Sequence, residues 1–159
     1  MNINDGLRLA RASCLIQHRR LVSGVYVPVG QDETVYNVKT TAGIDFLFAQ
    51  GYSTSPGANG LNWIALSNDS LTEGTGSTTL SNEIVANGLS RAQGTYAHTN
   101  GQSTATIQKV FTATGAQSAQ KAALFSASSG GTMQHALAFT QRSLQNTDTL
   151  TVTFTITLS

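Results

Sequence analysis

The clearest hydrophobic rhythm in the chain lies at its C-terminal end, where Leu150, Val152, Phe154, Ile156 and Leu158 alternate with Thr149, Thr151, Thr153, Thr155 and Thr157. A period of two places the apolar row on one face of a strand and the threonines on the other. The pattern predicts a strand over 150–158, central enough to bury its apolar row, with a threonine face turned to water or to a neighbouring subunit. Ala105, Ile107, Phe111 and Ala113 repeat the rhythm within a segment over 104–114. There Lys109 interrupts the row, as a charge does at a strand edge. Strand-like segments also cover 61–66, 89–98, 120–126 and 132–140, and the segment 80–85 follows a polar loop, with Glu83 placed to close one helical turn. Turn formers of the Asn-Gly, Thr-Gly, Ser-Gly-Gly and Asn-Thr-Asp kind separate these segments. Strands spaced by roughly 10 to 15 residues with such turns predict an all-β fold, an antiparallel β-sandwich or jelly roll.

The first forty residues follow a different pattern. Leu7, Leu9, Ala10, Ala12, Leu15 and Ile16 fit neither the helical nor the alternating template, and four arginines, Arg8, Arg11, Arg19 and Arg20, stand there against Asp5. Val22, Val25, Val27, Val35 and Val38, broken by Pro28, Gly30 and Asp32, suggest one or two short strands. Thr40 or Thr41 then caps a short helix through Ile44, Phe46, Leu47 and Ala49 that stops at Gly51, before an exposed loop over 52–60. The expectation is an extended N-terminal arm, 1–39, beside a β-sandwich domain, 40–159. In such an arm the arginine forks suit carboxylates of a neighbouring subunit, and Leu7, Leu9, Leu15 and Ile16 suit its apolar grooves. The alternative is that this segment folds back as a helix or edge strand of the same body.

Composition narrows the function classes. At 159 residues the chain has the length of one domain, and 9 Lys plus Arg against 8 Asp plus Glu leave a net charge of +1 with 11% of residues charged. That balance argues against a globally basic nucleic-acid binder and an acidic disordered tail. No apolar run approaches the ~20 residues of a membrane span, so a soluble protein without membrane contact is expected. The 22 Thr and 16 Ser, nearly a quarter of the chain, favour strands and turns over helices. The three histidines, His18, His98 and His135, are scattered without metal-ligand spacing. Asp69 and Glu73 share a polar loop that lacks the alternating ligands and central glycine of a calcium site. Gly74 and Gly76 lack the Gly-Lys-Ser/Thr of a phosphate loop, no serine stands in a Gly-x-Ser-x-Gly elbow, and Cys14 has no visible partner base. Trp63 reads as a core or subunit-contact anchor, with a sugar platform at Trp63 or Tyr52 as a weaker alternative. No catalytic residue, metal site or cofactor is predicted.

From Thr40 onward the order of segments resembles small virion structural proteins of tailed bacteriophages. The likeness is carried by Thr41-Ala-Gly-Ile-Asp-Phe, Leu61-Asn-Trp-Ile-Ala-Leu-Ser, Leu80-Ser-Asn-Glu-Ile, Gly88-Leu-Ser-Arg-Ala, Lys121-Ala-Ala-Leu-Phe-Ser-Ala-Ser-Ser-Gly-Gly-Thr-Met and Asp148-Thr-Leu-Thr-Val-Thr-Phe-Thr-Ile-Thr, over about three quarters of the chain. The resemblance implies a capsid cement (decoration) protein that is made in the bacterial host cytoplasm, binds the major capsid protein on the capsid exterior and stabilises the shell. A homo-oligomer, a trimer at the local three-fold positions of the shell, is the expected state, with the arm residues as the coat-protein contact. A tail, collar or fibre-associated protein is the alternative within the same class, and a carbohydrate-binding module the alternative outside it.

Overall fold

The structure is a computed structural model and describes residues 11–43 and 60–157. Eleven strands occur in these residues: β1 (Arg11–Val22), β2 (Val25–Pro28), β3 (Glu33–Tyr36), β4 (Val38–Lys39), β5 (Trp63–Ser67), β6 (Ala92–Gln93), β7 (Thr95–His98), β8 (Thr104–Thr112), β9 (Gln117–Phe125), β10 (Met133–Leu144) and β11 (Thr149–Thr157). They form two antiparallel sheets packed as a sandwich. The first has the order β2-β1-β11-β8-β7, with β3 also paired to β1, and the second the order β4-β10-β9-β5-β6. The all-β sandwich expected from alternation is the fold observed.

Strand β11 shows how the pattern builds the core. It lies between β1 and β8, and Leu150, Val152 and Phe154 are wholly buried while the intervening threonines stay on the outer side. Facing them across the sandwich are Ile64 and Leu66 of β5, Ala122 and Leu124 of β9, and Leu137 and Phe139 of β10. Lys109 stands one residue beyond the β7 ladder, which ends at the Thr95–Gln108 pair, so the charge does mark where pairing on that side of β8 stops.

The reading of 1–39 as an arm is corrected for its described part, 11–39, which supplies strands to both sheets. β1 is an interior strand, paired with β11 on one side and with β2 and β3 on the other. β4, reached two residues after β3, has already crossed to the second sheet and pairs with β10. The physical reason lies in the strict alternation of β1, where Ala12, Cys14, Ile16 and His18 are buried and Ser13, Leu15, Gln17 and Arg19 are not. Small, thiol and imidazole side chains at the inward positions hide this period from a hydrophobic count. Asn37 makes the sheet-to-sheet step by bonding backbone to backbone with Ala12 and presenting its side chain to both the Ala12 N–H and His135.

Other expectations are refined rather than replaced. The 89–98 segment is two strands, because the chain changes sheet at Gly94, where an added Cβ would come within 2.7 Å of Ile107 Cγ2. The helical turn expected at Glu83 does not form: Asn82 is at positive φ (48°), Glu83 makes one isolated bridge to Ser67, and Leu80 and Ile84 are buried from a loop. Residues 41–43 begin a helix, and the Gly43 N–H donates to Thr40 Oγ1 at 3.0 Å, which makes Thr40 its N-cap. The rest of the expected helix, through Gly51, lies outside the described residues.

Candidate functional site: the open face of the first sheet

The two sheets treat their outer faces differently. On the second sheet, Lys121, Ala123 and Phe125 of β9 point away from the sandwich interior, yet they are buried. Leu80 closes over Ala65, Ala123, Phe125, Met133 and Ala136, with Trp63 packed beside them. Ion pairs fasten this cover. Lys121 Nζ lies 2.7 Å from Asp69, 2.8 Å from Glu73 and 2.6 Å from Ser81 Oγ, so one ammonium holds three points of the 69–81 loop. Arg91 stacks its guanidinium 3.6 Å from the Phe125 ring centroid, forks onto Glu83, and donates to the carbonyls of Ala127 and Gly130.

The first sheet carries no such cover among the described residues. Its outer face is a grid whose ranks follow from the strand registers. Tyr36, Ser13, Thr155, Thr106 and Ala97 form one rank, and Thr34, Leu15, Thr153, Gln108 and Thr95 the next. Further ranks run Gln17, Thr151 and Val110, then Pro28, Arg19, Thr149 and Thr112. Among strand side chains described on this face, Arg19 is the one charge; the Asp32 carboxylate lies beside it, accepting from Arg19 at 2.6 and 2.8 Å and from Gln17 Nε2 at 2.7 Å. Gln108 Nε2 donates to Thr153 Oγ1 at 2.9 Å, bonding side chains along the surface.

The residues expected in an arm contact are distributed as follows. Leu7, Arg8 and Leu9 lie outside the described residues, and Arg11 opens β1. Leu15 is half-buried on the open face, whereas Ile16 is wholly buried in the core and cannot fill a neighbour's groove. Arg20 is bidentate on Asp148, at 3.1 and 2.9 Å, and His18 Nε2 lies 3.0 Å from the same carboxylate. Burial pushes the Asp148 carboxyl up, but Arg20, the Gln145 N–H and His18 together outweigh it and hold the group at about 2. Arg19 and Arg20 are therefore matched by carboxylates of their own chain rather than free for another.

The remaining chemistry-bearing residues are likewise engaged within the fold. Asp69 and Glu73, weighed in the sequence as calcium oxygens, receive the Lys121 ammonium instead. Cys14 is wholly buried and burial pushes its thiol far up, so it packs as a small apolar group. His98 is exposed and its Nδ1 lies 2.8 Å from the Thr104 carbonyl. Trp63 is half-buried against the second cluster, not displayed as a flat platform, and Tyr52 lies outside the described residues. An open depression of 410 Å³ at the β9–β10 end is lined by Ala116, Gln117, Ser118, Ser143, Leu144 and Gln145, none of them titratable. Among the described residues, no three His, Cys, Asp or Glu are grouped to hold a metal ion, and no helix is long and apolar enough to cross a membrane.

No family model, curated protein or solved structure matches this chain. The geometry of the open face therefore carries the functional reading.

Sequence reasoning missed the two internal ion clusters. The signal for Lys121 was present, a single charge inside the apolar run from Ala119 to Phe125. For Asp148 there was none, because an Asp in an Asn-Thr-Asp turn looks like turn chemistry until the fold brings β1 beside it.

Proposed function

We propose that this protein is a virion structural component of a tailed bacteriophage, a capsid cement protein that lies with its first sheet against the major capsid protein. The observation that carries the reading is the open face itself: five strands wide, rich in threonine, and nearly free of charge. The nine residues of β11 give it a length of about 30 Å; three strands of that length at ~4.8 Å spacing, flanked by strands of four residues on either side, give an area of about 550 Å² per copy. That is somewhat below the ~800 Å² per partner of a standard stable interface. A grid of short β-branched hydroxyls offers methyl groups for burial and hydroxyls for hydrogen bonds, and it gives up little side-chain entropy on docking. The second sheet, already covered by its own loop, leaves the first as the docking side, and the resemblance of segment order to phage virion proteins supplies the class of partner.

Co-sedimentation with capsids of the encoding phage, stripped of this protein, tests the reading. Thr155→Arg places an unpaired guanidinium in the middle of the grid, where burial against a partner is costly and solvent exposure in the free protein is not. The variant should melt within a few degrees of the parent and lose at least tenfold in capsid occupancy. Equal occupancy of parent and variant, or no capsid binding by the parent, contradicts the proposal.

A further inference from the structure

At one corner of the open face, the strand that ends the first sheet has the features of a self-pairing edge. β1 turns into β2 through Ser23 and Gly24, both at positive φ (49° and 82°), the conformation of a two-residue type I′ hairpin. All four residues of β2 are exposed, and so are Leu21 and Val22 before the turn; Val25 is 63% exposed and Tyr26 47%. These apolar side chains stand on both faces of the hairpin, so a flat surface laid against one face leaves the other bare. No strand pairs with the outer edge of β2 among the described residues.

The hydrogen-bond pattern shows which groups that edge presents. Val22 and Val25 flank a two-residue turn and bond to each other, and the Val29 N–H donates to the His18 carbonyl at 3.0 Å, so the odd-numbered residues of β2 face β1. Tyr26 therefore directs its N–H and carbonyl away from the sheet, and Pro28, which has no N–H to leave unpaired, occupies the next outward position. Edge strands of monomeric proteins are commonly guarded by a charge, a bulge or a proline. Here Pro28 guards the outward position at the end of β2, but Tyr26 has neither charge nor bulge beside it: from Leu21 to Gln31 the sequence is uncharged, and the neighbouring Arg19 and Arg20 are already matched by Asp32 and Asp148.

We infer that β2 pairs antiparallel with β2 of a second copy, about a two-fold axis at Tyr26. The sequence Val25-Tyr26-Val27 reads the same in both directions, so this register sets Tyr26 opposite its symmetry mate and each Val25 opposite a Val27. The two Tyr26 residues then exchange both outward N–H···O=C bonds, and the cross-strand pairs cover both faces of the hairpin, valines on one and tyrosines on the other. The absence of charge lets identical edges meet without repulsion, and the pairing extends the open face across two copies. It is independent of capsid binding.

The register makes the test specific. In a hydrogen-bonded antiparallel pair the facing Cα atoms are about 5.5 Å apart, within disulfide range, while Cys14 is buried. Tyr26→Cys should form an intermolecular disulfide under mild oxidation at least tenfold faster than Val25→Cys, whose symmetry mates are out of register. Sedimentation equilibrium of the unmodified protein should show a monomer–dimer equilibrium that Val27→Lys weakens at least tenfold, with an unchanged β-type circular-dichroism spectrum. A protein that stays monomeric at hundreds of micromolar, a trimer, equal cross-linking at both positions, or a dimer indifferent to Val27→Lys each overturns the inference. Capsid co-sedimentation of Val27→Lys, read separately, shows whether shell binding persists without the pair.

Discussion

At the scale of single residues, charge in this protein serves to fasten loops. Asp148 sits in the turn between β10 and β11, almost wholly buried, and receives two bonds from Arg20, one from the Gln145 N–H and a contact from His18. A carboxyl held at about 2 when folded, against about 3.9 when unfolded, stabilises the fold at any pH above the unfolded value. That contribution is lost as pH falls from about 4 towards 2, because protonation is then easier in the unfolded chain. Asp69 is held at about 2 and Glu73 is lowered in the same direction, so the 69–81 loop loosens over the same range. Urea denaturation followed from pH 6 to pH 2.5 should show stability falling below about pH 4, with a shallower fall in Asp148→Asn because one of the linked protons is gone. Identical pH slopes for the variant and the parent would contradict this role. These pairings were illegible in the sequence because each joins residues far apart in it, Lys121 to Glu73 across 48 positions and Arg20 to Asp148 across 128.

At the scale of elements, alternation was the readable signal wherever the inward side chains were large. β11 announced both its period and its central place, and β8 its period and the point where its outer pairing stops. Phe154, wholly buried between the sheets, gives the direct check: Phe154→Ala should destabilise the protein by about 3–5 kcal/mol in denaturant unfolding, the range for emptying an aromatic site in a core. A loss below about 1 kcal/mol would mean that the β11 row does not anchor the sandwich. β1 failed to announce itself for the opposite reason. Its inward row is Ala12, Cys14, Ile16 and His18, of which only Ile16 weighs heavily in a hydrophobic count, and its arginines suggested an exposed arm. Where those arginines pair is a matter of tertiary structure: Arg19 with Asp32 after one hairpin, Arg20 with a residue at the far end of the chain.

At the scale of the whole molecule, the sandwich is two-sided in construction, and the proposed function follows that division. One outer face is closed by a loop that Lys121 and Arg91 hold down; the other, among the described residues, is an open grid rich in threonine. The sequence alone showed that a threonine face existed on the last strand. It did not show that Ser13, Thr106, Thr34 and Thr95 join the same plane, because only the registers of β1, β3, β7 and β8 bring them into rank with Thr153 and Thr155. The proposed function requires that plane to be the docking surface for a capsid lattice. Cryo-electron microscopy of the intact particle of the proposed phage measures this most directly. The proposed function predicts density for the sandwich in many copies over the capsid exterior, with the plane of Thr151, Thr153 and Thr155 turned towards the coat subunits. Density confined to the tail or collar, or copies on the shell with that plane facing solvent, would contradict it.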